Sequence, residues 1–91
     1  MQRKDEKTKY LIKTAGKLFR SLREELTAKS LDKLAREYDI DSGNLSKIEN
    51  GKNDPKLTTL WKIAEALEIP LSELIKRLEN ELPDGWHIGD V

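Results

Sequence analysis

The side chains of this chain that could do covalent chemistry are quickly exhausted. Its 91 residues contain no cysteine, which removes disulfides, thiolate metal sites and cysteine nucleophiles together. The single histidine, His87 beside Trp86, lacks the companion donors of a metal cluster or a catalytic dyad and reads as a surface or packing residue. Aspartate and glutamate are plentiful, but none accompanies a nucleophile or a glycine-rich loop of the kind catalysis needs. The expectation is a non-enzyme without metal or cofactor, so any chemistry must come from charge and hydrogen bonding.

Lysine and arginine number 17, as do aspartate and glutamate, and the formal charge is zero. Taken whole, that balance points away from a nucleic-acid partner. Along the chain it is a sum of opposites. Residues 1–30 carry nine basic side chains (Arg3, Lys4, Lys7, Lys9, Lys13, Lys17, Arg20, Arg23, Lys29) and a net +5, residues 31–60 a net −1, and residues 61–91 a net −4. Such asymmetry marks an anion-facing end opposite a partner-facing one, or simply solvated helix faces. The length suits one domain with a modest core, burying ~60–65% of the unfolded chain's surface. No apolar run approaches the ~18 residues of a membrane span, and the basic N-terminus lacks a signal peptide's apolar stretch. A small cytoplasmic protein is expected.

The elements that must position these charges follow from periodicity. Leu11, Ile12, Ala15, Leu18, Phe19, Leu22 and Leu26 recur at helical spacing, so residues 8–27 read as one long amphipathic helix, in which Gly16 marks a close approach by another helix. Ser30 caps a second helix with Leu31, Leu34, Ala35 and Tyr38 inward. Residues 39–44 break the pattern with turn and cap residues. Leu45 and Ile48 line a short third helix, closed by Asn50-Gly51. Leu57, Leu60, Ile63, Ala64 and Leu67 define a fourth helix ending before Pro70, and Leu71, Leu74, Ile75, Leu78 and Leu82 a fifth. The fold class is all-α with five helices: a basic arm over 1–7, a domain over 8–82 and a tail over 83–91, with a Pro83-Asp84-Gly85 turn.

Two short helices joined by a tight turn stay rigid only if a few inward positions are apolar, and Leu34, Tyr38, Ile40, Leu45 and Ile48 supply them, with small Ala35 at the closest approach. A helix-turn-helix unit over about 30–50 has that requirement. With Leu34-Ala35, Ile40 through Ile48-Glu49-Asn50-Gly51, and Leu60–Leu67 followed by Ile69-Pro70-Leu71-Ser72-Glu73-Leu74, the chain resembles the lambda-repressor/Cro class of DNA-binding domains, the XRE family, over residues 16–78. The resemblance implies a five-helix domain that binds operator DNA as a dimer, with the helix from Ser42 to Glu49 in the major groove. It makes Ser42, Gly43, Asn44 and Lys47 candidates for base contact, with Ser46 at the margin. Asn pairs with adenine N6/N7 and Lys donates to guanine O6/N7. The alternatives are plain capping for Ser42 and Asn44 and a solvated charge for Lys47. Phosphate contacts implied by the resemblance are Ser30, Asn50, Lys52, Asn53 and Lys56, with Lys29 and Arg20 weaker. It also pairs Arg23 with Glu49 to tie the recognition helix to the core.

Four departures from the family pattern stand out. Leu31 replaces a glutamine that contacts phosphate or braces the recognition helix. Asp39 replaces the turn glycine, at a residue type that tolerates the left-handed conformation. Asp41 brings a carboxylate close to the phosphates. The connection around Leu26–Lys29 is one residue longer. Separately, Trp61 falls off the inward stripe of the fourth helix, and the fifth carries more leucines than a small bundle needs. Trp61, Leu71, Leu74, Leu78 and Trp86 are therefore a candidate dimer or partner surface, unless Trp86 and Ile88 fold back over it. The expectation is a sequence-specific DNA-binding regulator, a dimeric repressor on double-stranded DNA. The alternatives are an antitoxin that binds its toxin through the C-terminal helix and tail, and an interaction module that kept the fold without DNA binding. Neutrality predicts weak non-specific DNA affinity.

Overall fold

Phe19, Leu45, Ile48 and Leu74 are fully buried and come from three helices distant in sequence, so the core is formed by long-range packing rather than by any one hairpin. The computed structural model describes residues 3–89. Among these lie α1 (Arg3–Leu22), a π-helical turn (Arg23–Thr27), α2 (Leu31–Glu37), α3 (Ser42–Glu49), α4 (Leu57–Ala66) and α5 (Leu71–Asn80), with no strand. Helix α1 packs on α3 and α5, α2 on α3, and α4 on α5.

Helix α1 differs from expectation at both ends. It starts at Arg3, so residues 3–7 of the expected basic arm are its first turns, while Met1 and Gln2 lie outside the described residues. Its last turns widen into the π-helix, which takes up one more residue per turn. Leu26 and Thr27, expected in the longer connection, belong to this turn. Thr27 Oγ1 donates to Arg23 O at 2.6 Å and accepts from Lys29 N at 3.0 Å, and Ala28 reverses the chain at φ 56°.

Three helices end alike. In α2, Ile40 N donates to Ala35 O at 2.8 Å; in α3, Lys52 N donates to Lys47 O at 2.8 Å; in α4, Ile69 N donates to Ala64 O at 3.1 Å. Each bond spans a residue in the left-handed region, namely Asp39 at φ 54°, Gly51 at 74° and Glu68 at 59°. The bond from each following residue back into the helix consumes a terminal carbonyl, and in two of the three ends it turns an isoleucine toward the domain. Ile40 is buried, and Ile69 packs on the core. That geometry fixes the turn between α2 and α3 without a glycine.

Several hydrophobic assignments change. Leu26, read with the apolar stripe of the first helix, lies in the π-helical turn and is exposed. Leu57, expected inward, is 66% exposed because it is the first residue of α4 and lies past the core's edge; Ala66 is buried instead. Leu74, expected on a partner surface, is 0% exposed, and Leu78 packs against the core. Helix α5 lies against both α1 and α4, so the middle of its leucine stripe is used within the domain.

Gly16 sits where α1 crosses the end of α3. A Cβ there would collide with Ile48 O and lie 2.9 Å from Glu49 O, both backbone atoms that cannot move unless α3 moves. Alanine in a helix otherwise gains about 1 kcal/mol over glycine, whereas overpacking costs about 1–3 kcal/mol. With backbone as the obstacle the upper end applies. Gly16→Ala should therefore lower stability by about 2 kcal/mol, a fall of roughly 10 °C in the thermal midpoint, measured by circular dichroism; an unchanged or raised midpoint would contradict the close approach.

Candidate nucleic-acid interface

Helix α3 is short, and its cap is a side chain rather than water. Asp41 Oδ1 accepts from Asn44 N at 2.7 Å, an N-cap that starts the helix at Ser42. Leu45, Ile48 and Glu49 point inward and are buried. Ser42, Gly43, Lys47 and Asn50 are exposed, with Asn44 and Ser46 half-buried beside them. The four base-contact candidates thus share the outward side of one helix, Asn44 and Lys47 one turn apart. The exposed side carries no large apolar residue to compete with a polar partner.

The orientation of α3 is held from behind by Arg23. Its Nε donates to Glu49 Oε2 at 2.9 Å and its Nη2 to Glu49 Oε1 at 3.0 Å, a bidentate fork, while Nη1 donates to Lys29 O at 2.9 Å. The side chains of the pair are only 11% and 5% exposed. The hydrogen bond to Glu49 raises the Arg23 guanidinium above its ordinary value, outweighing desolvation. One guanidinium therefore joins the π-turn, the segment before α2 and the end of α3.

The phosphate candidates divide. Ser30 Oγ accepts from Lys33 N at 3.2 Å, the N-cap of α2. Asn50 turns back onto its own helix, donating Nδ2 to Ser46 O at 2.9 Å. Asn53 donates Nδ2 to Asn44 Oδ1 at 2.9 Å. Lys52 and Lys56 are exposed and, with Asn44, Asn53, Asp54 and Lys62, line a polar cleft of about 540 Å³ between the turn and the loop after α3. The Asp41 carboxylate borders the same cleft but is occupied by the cap. Of the weaker candidates, Lys29 is bound to Glu37 at 2.6 Å, which raises its ammonium and lowers the Glu37 carboxyl, and Arg20 lies 3.6 Å from Glu24.

Some basic residues near this face had no local signal. Lys62 Nζ donates to Asp39 O at 2.9 Å, joining α4 to the turn across 23 residues, and Arg36 lines a small cleft with Asp32, Ile40 and Ser42. Both contacts depend on how helices pack, which spacing along the chain does not encode. Lys13, Lys17 and Arg20 line a cleft with Glu49 and Asn50 at the other end of α3.

The candidate partner surface is reshaped. Trp61 is 54% exposed and, with Leu57 one turn earlier, forms an outward apolar pair on α4. Beside Trp61 runs an open groove of about 790 Å³ lined by Ala64, Ile69, Pro70, Leu71 and Ile75. Trp86 is not on it: its ring stacks at 6.2 Å and 44° on Tyr10 of α1, and Lys7 Nζ donates to Gly89 O at 3.3 Å. The tail thus folds back over α1 and leaves Trp61 uncovered.

Among the described residues no three histidine, cysteine, aspartate or glutamate side chains are grouped to hold a metal ion, and no helix is long and apolar enough to cross a membrane.

Residues 19–74 match a protein-family model described as helix-turn-helix. The chain is 41% identical over 66 residues to the control protein C.MunI of a Mycoplasma species, covering 72% of this chain and 89% of that one. It is 38% identical over 65 residues to the HTH-type transcriptional repressor RghR of Bacillus subtilis, covering 70% of this chain but 47% of RghR, so the match spans about half of that longer protein. The clp gene regulator ClgR of C. glutamicum shares the fold with a TM-score of 0.70 over 81% of this chain and 95% of that one, at 22% identity.

Removing one member of a buried charge pair leaves the other uncompensated, at about 3–5 kcal/mol. Glu49→Ala should therefore lower stability by about 3 kcal/mol and the thermal midpoint by roughly 15 °C. Exchanging Arg23 and Glu49 together for leucine should recover part of that loss. An unchanged melt for Glu49→Ala would show that the fork does not hold α3.

Proposed function

The chain belongs to the XRE-type helix-turn-helix family of DNA-binding transcriptional regulators, which are not enzymes, and on that ground we propose that it is a dimeric repressor reading its operator with α3. The observation that carries this reading is the outward face of α3. Ser42, Gly43, Asn44 and Lys47 lie on one polar side of a helix held rigidly by the Arg23–Glu49 fork, with Lys52 and Lys56 beside it on the adjoining loop. Base-edge reading needs side chains fixed relative to the groove, and the loop lysines give the sequence-independent contacts that set register.

The repressor role acts by occupancy. Two copies place their α3 helices in successive major grooves about 34 Å apart and block the polymerase. Leu57 and Trp61 support the dimer, since an exposed apolar pair next to an apolar groove is self-complementary under two-fold symmetry. In that arrangement Trp61 of each copy enters the groove beside Ile69 and Leu71 of the other. The similarity to RghR, a transcriptional repressor, supports this reading. An antitoxin working through the tail would need Trp86 free to reach a toxin, and its packing on Tyr10 favours the repressor.

In-vitro selection of bound DNA from random duplexes tests the reading directly, an enriched two-fold-symmetric site being the expected result and no enrichment its refutation. Lys47→Ala should then change the base preferred at one position of each half-site. Lys52→Ala should weaken binding to all sequences alike and reduce the salt slope by about 1. Identical effects of the two would misplace the reading face. Trp61→Glu should shift sedimentation from dimer to monomer and lower operator affinity, whereas a monomeric wild-type chain, in solution and on DNA, would rule out the dimer.

A further inference from the structure

Asn44 is not a free side chain. Its Oδ1 accepts from Asn53 Nδ2 at 2.9 Å across the mouth of the cleft. The backbone of the loop holds Asn53 in place for this, because Lys52 N and Asn53 N both donate to Lys47 O, at 2.8 and 3.3 Å. The backbone of Asn44 is separately pinned by the Asp41 cap. Both ends of the Asn44–Asn53 bond are therefore anchored to α3. Leu31, half-buried against the core, has no polar head to brace α3 from the α2 side, so the brace comes from the loop.

An asparagine amide is planar, with its carbonyl and its amine on opposite branches. With Oδ1 turned toward Asn53, the Nδ2 amine faces away. Among the described residues Nδ2 has no protein partner, yet no buried side-chain nitrogen or oxygen among them lacks one, so Nδ2 reaches solvent beside the cleft.

Resting on the operator-binding reading above, we propose that Asn53 is a positioning residue for sequence recognition. It locks the Asn44 amide with the donor outward, so that position 44 selects a base edge that accepts. An unbraced asparagine presents its carbonyl and its amine side by side, which is how it pairs bidentately with adenine N6 and N7. The braced amide reads chiefly as a donor. On the strand it faces it accepts any base with an acceptor, guanine N7 and O6, thymine O4 or adenine N7, and rejects cytosine, whose N4 amine also donates. The loop after α3 thereby sets base preference without touching a base.

The test is selection of bound DNA with the full chain, as wild type, Asn53→Ala and Asn53→Asp, each checked for native helicity by circular dichroism. The wild type should enrich guanine, thymine or adenine over cytosine at one position per half-site by roughly tenfold. Asn53→Ala should collapse that discrimination to about twofold or less, with a loss of affinity on the operator several-fold larger than on unrelated DNA. In Asn53→Asp the carboxylate can only accept, so the Asn44 amide must turn over and donate to it. Its carbonyl then faces the groove, and the preference should swing to cytosine, whose N4 amine donates. Equal losses on operator and unrelated DNA in Asn53→Ala would make Asn53 a phosphate contact and overturn the proposal. So would a base preference unchanged in both variants. Failure of the wild type to enrich any site would remove the operator reading, and this proposal with it, and is distinguished from those outcomes by the wild-type arm alone.

Discussion

The bidentate contact between Arg23 and Glu49 is the constraint on which the candidate DNA face rests. A helix of eight residues has little stability of its own and keeps its orientation only by being held. Leu45 and Ile48 anchor α3 in the core, but apolar contacts are non-directional and would allow it to roll. The guanidinium fork adds direction: its two parallel bonds fix the rotation of Glu49 about the helix axis, and the third bond, to Lys29 O, fixes the start of α2 to the same centre. Gly16 completes the arrangement by letting α1 lie directly on the carbonyl end of α3. Whatever Asn44 and Lys47 present to a partner is set by these contacts on the opposite side of the helix.

Charge acts locally in this protein. Its formal charge of zero gives no long-range attraction toward a polyanion. Of the acidic groups near the candidate face, Glu49 is held by Arg23 and Asp41 by the cap of α3, while the exposed Asp39 carboxylate lies 3.9 Å from Lys62. Lys47, Lys52 and Lys56 remain exposed beside them. Such a charge pattern gives little drive toward polyanions in general.

The helix ends link local sequence to site geometry. Asp39, Gly51 and Glu68 each take the left-handed conformation at the end of a helix. For Gly51 that is the usual residue. For Asp39 and Glu68 the local preference is weaker, and the following isoleucines, packed inward, hold the turns. The same kind of ending in α3 brings the Lys52–Lys56 loop back along the helix, so Asn53 reaches Asn44 over nine positions of chain. Loop and α3 are therefore one unit.

Periodicity and cap residues in the sequence were enough to determine five helices, the cap at Ser30 and the close approach at Gly16, because each is written in residues three or four positions apart or in a single residue with a strong local preference, while the bounds of α3 at Ser42 and Glu49 came from the family resemblance. Three features were settled only by tertiary structure. The widened turn over Arg23–Thr27, from which Arg23 reaches Glu49, has no signal in the apolar spacing. The leucine stripe of α5, legible as apolar, was drawn against the core only when α1 and α4 packed on it, burying Leu74, while on α4 Leu57 and Trp61 stayed outside. The Asn53–Asn44 bond and the stacking of Trp86 on Tyr10 join residues whose separation along the chain carries no periodic signal. Patterning records which side chains avoid water; which partner each one meets is decided by the packing of whole helices, and no local rule contains it.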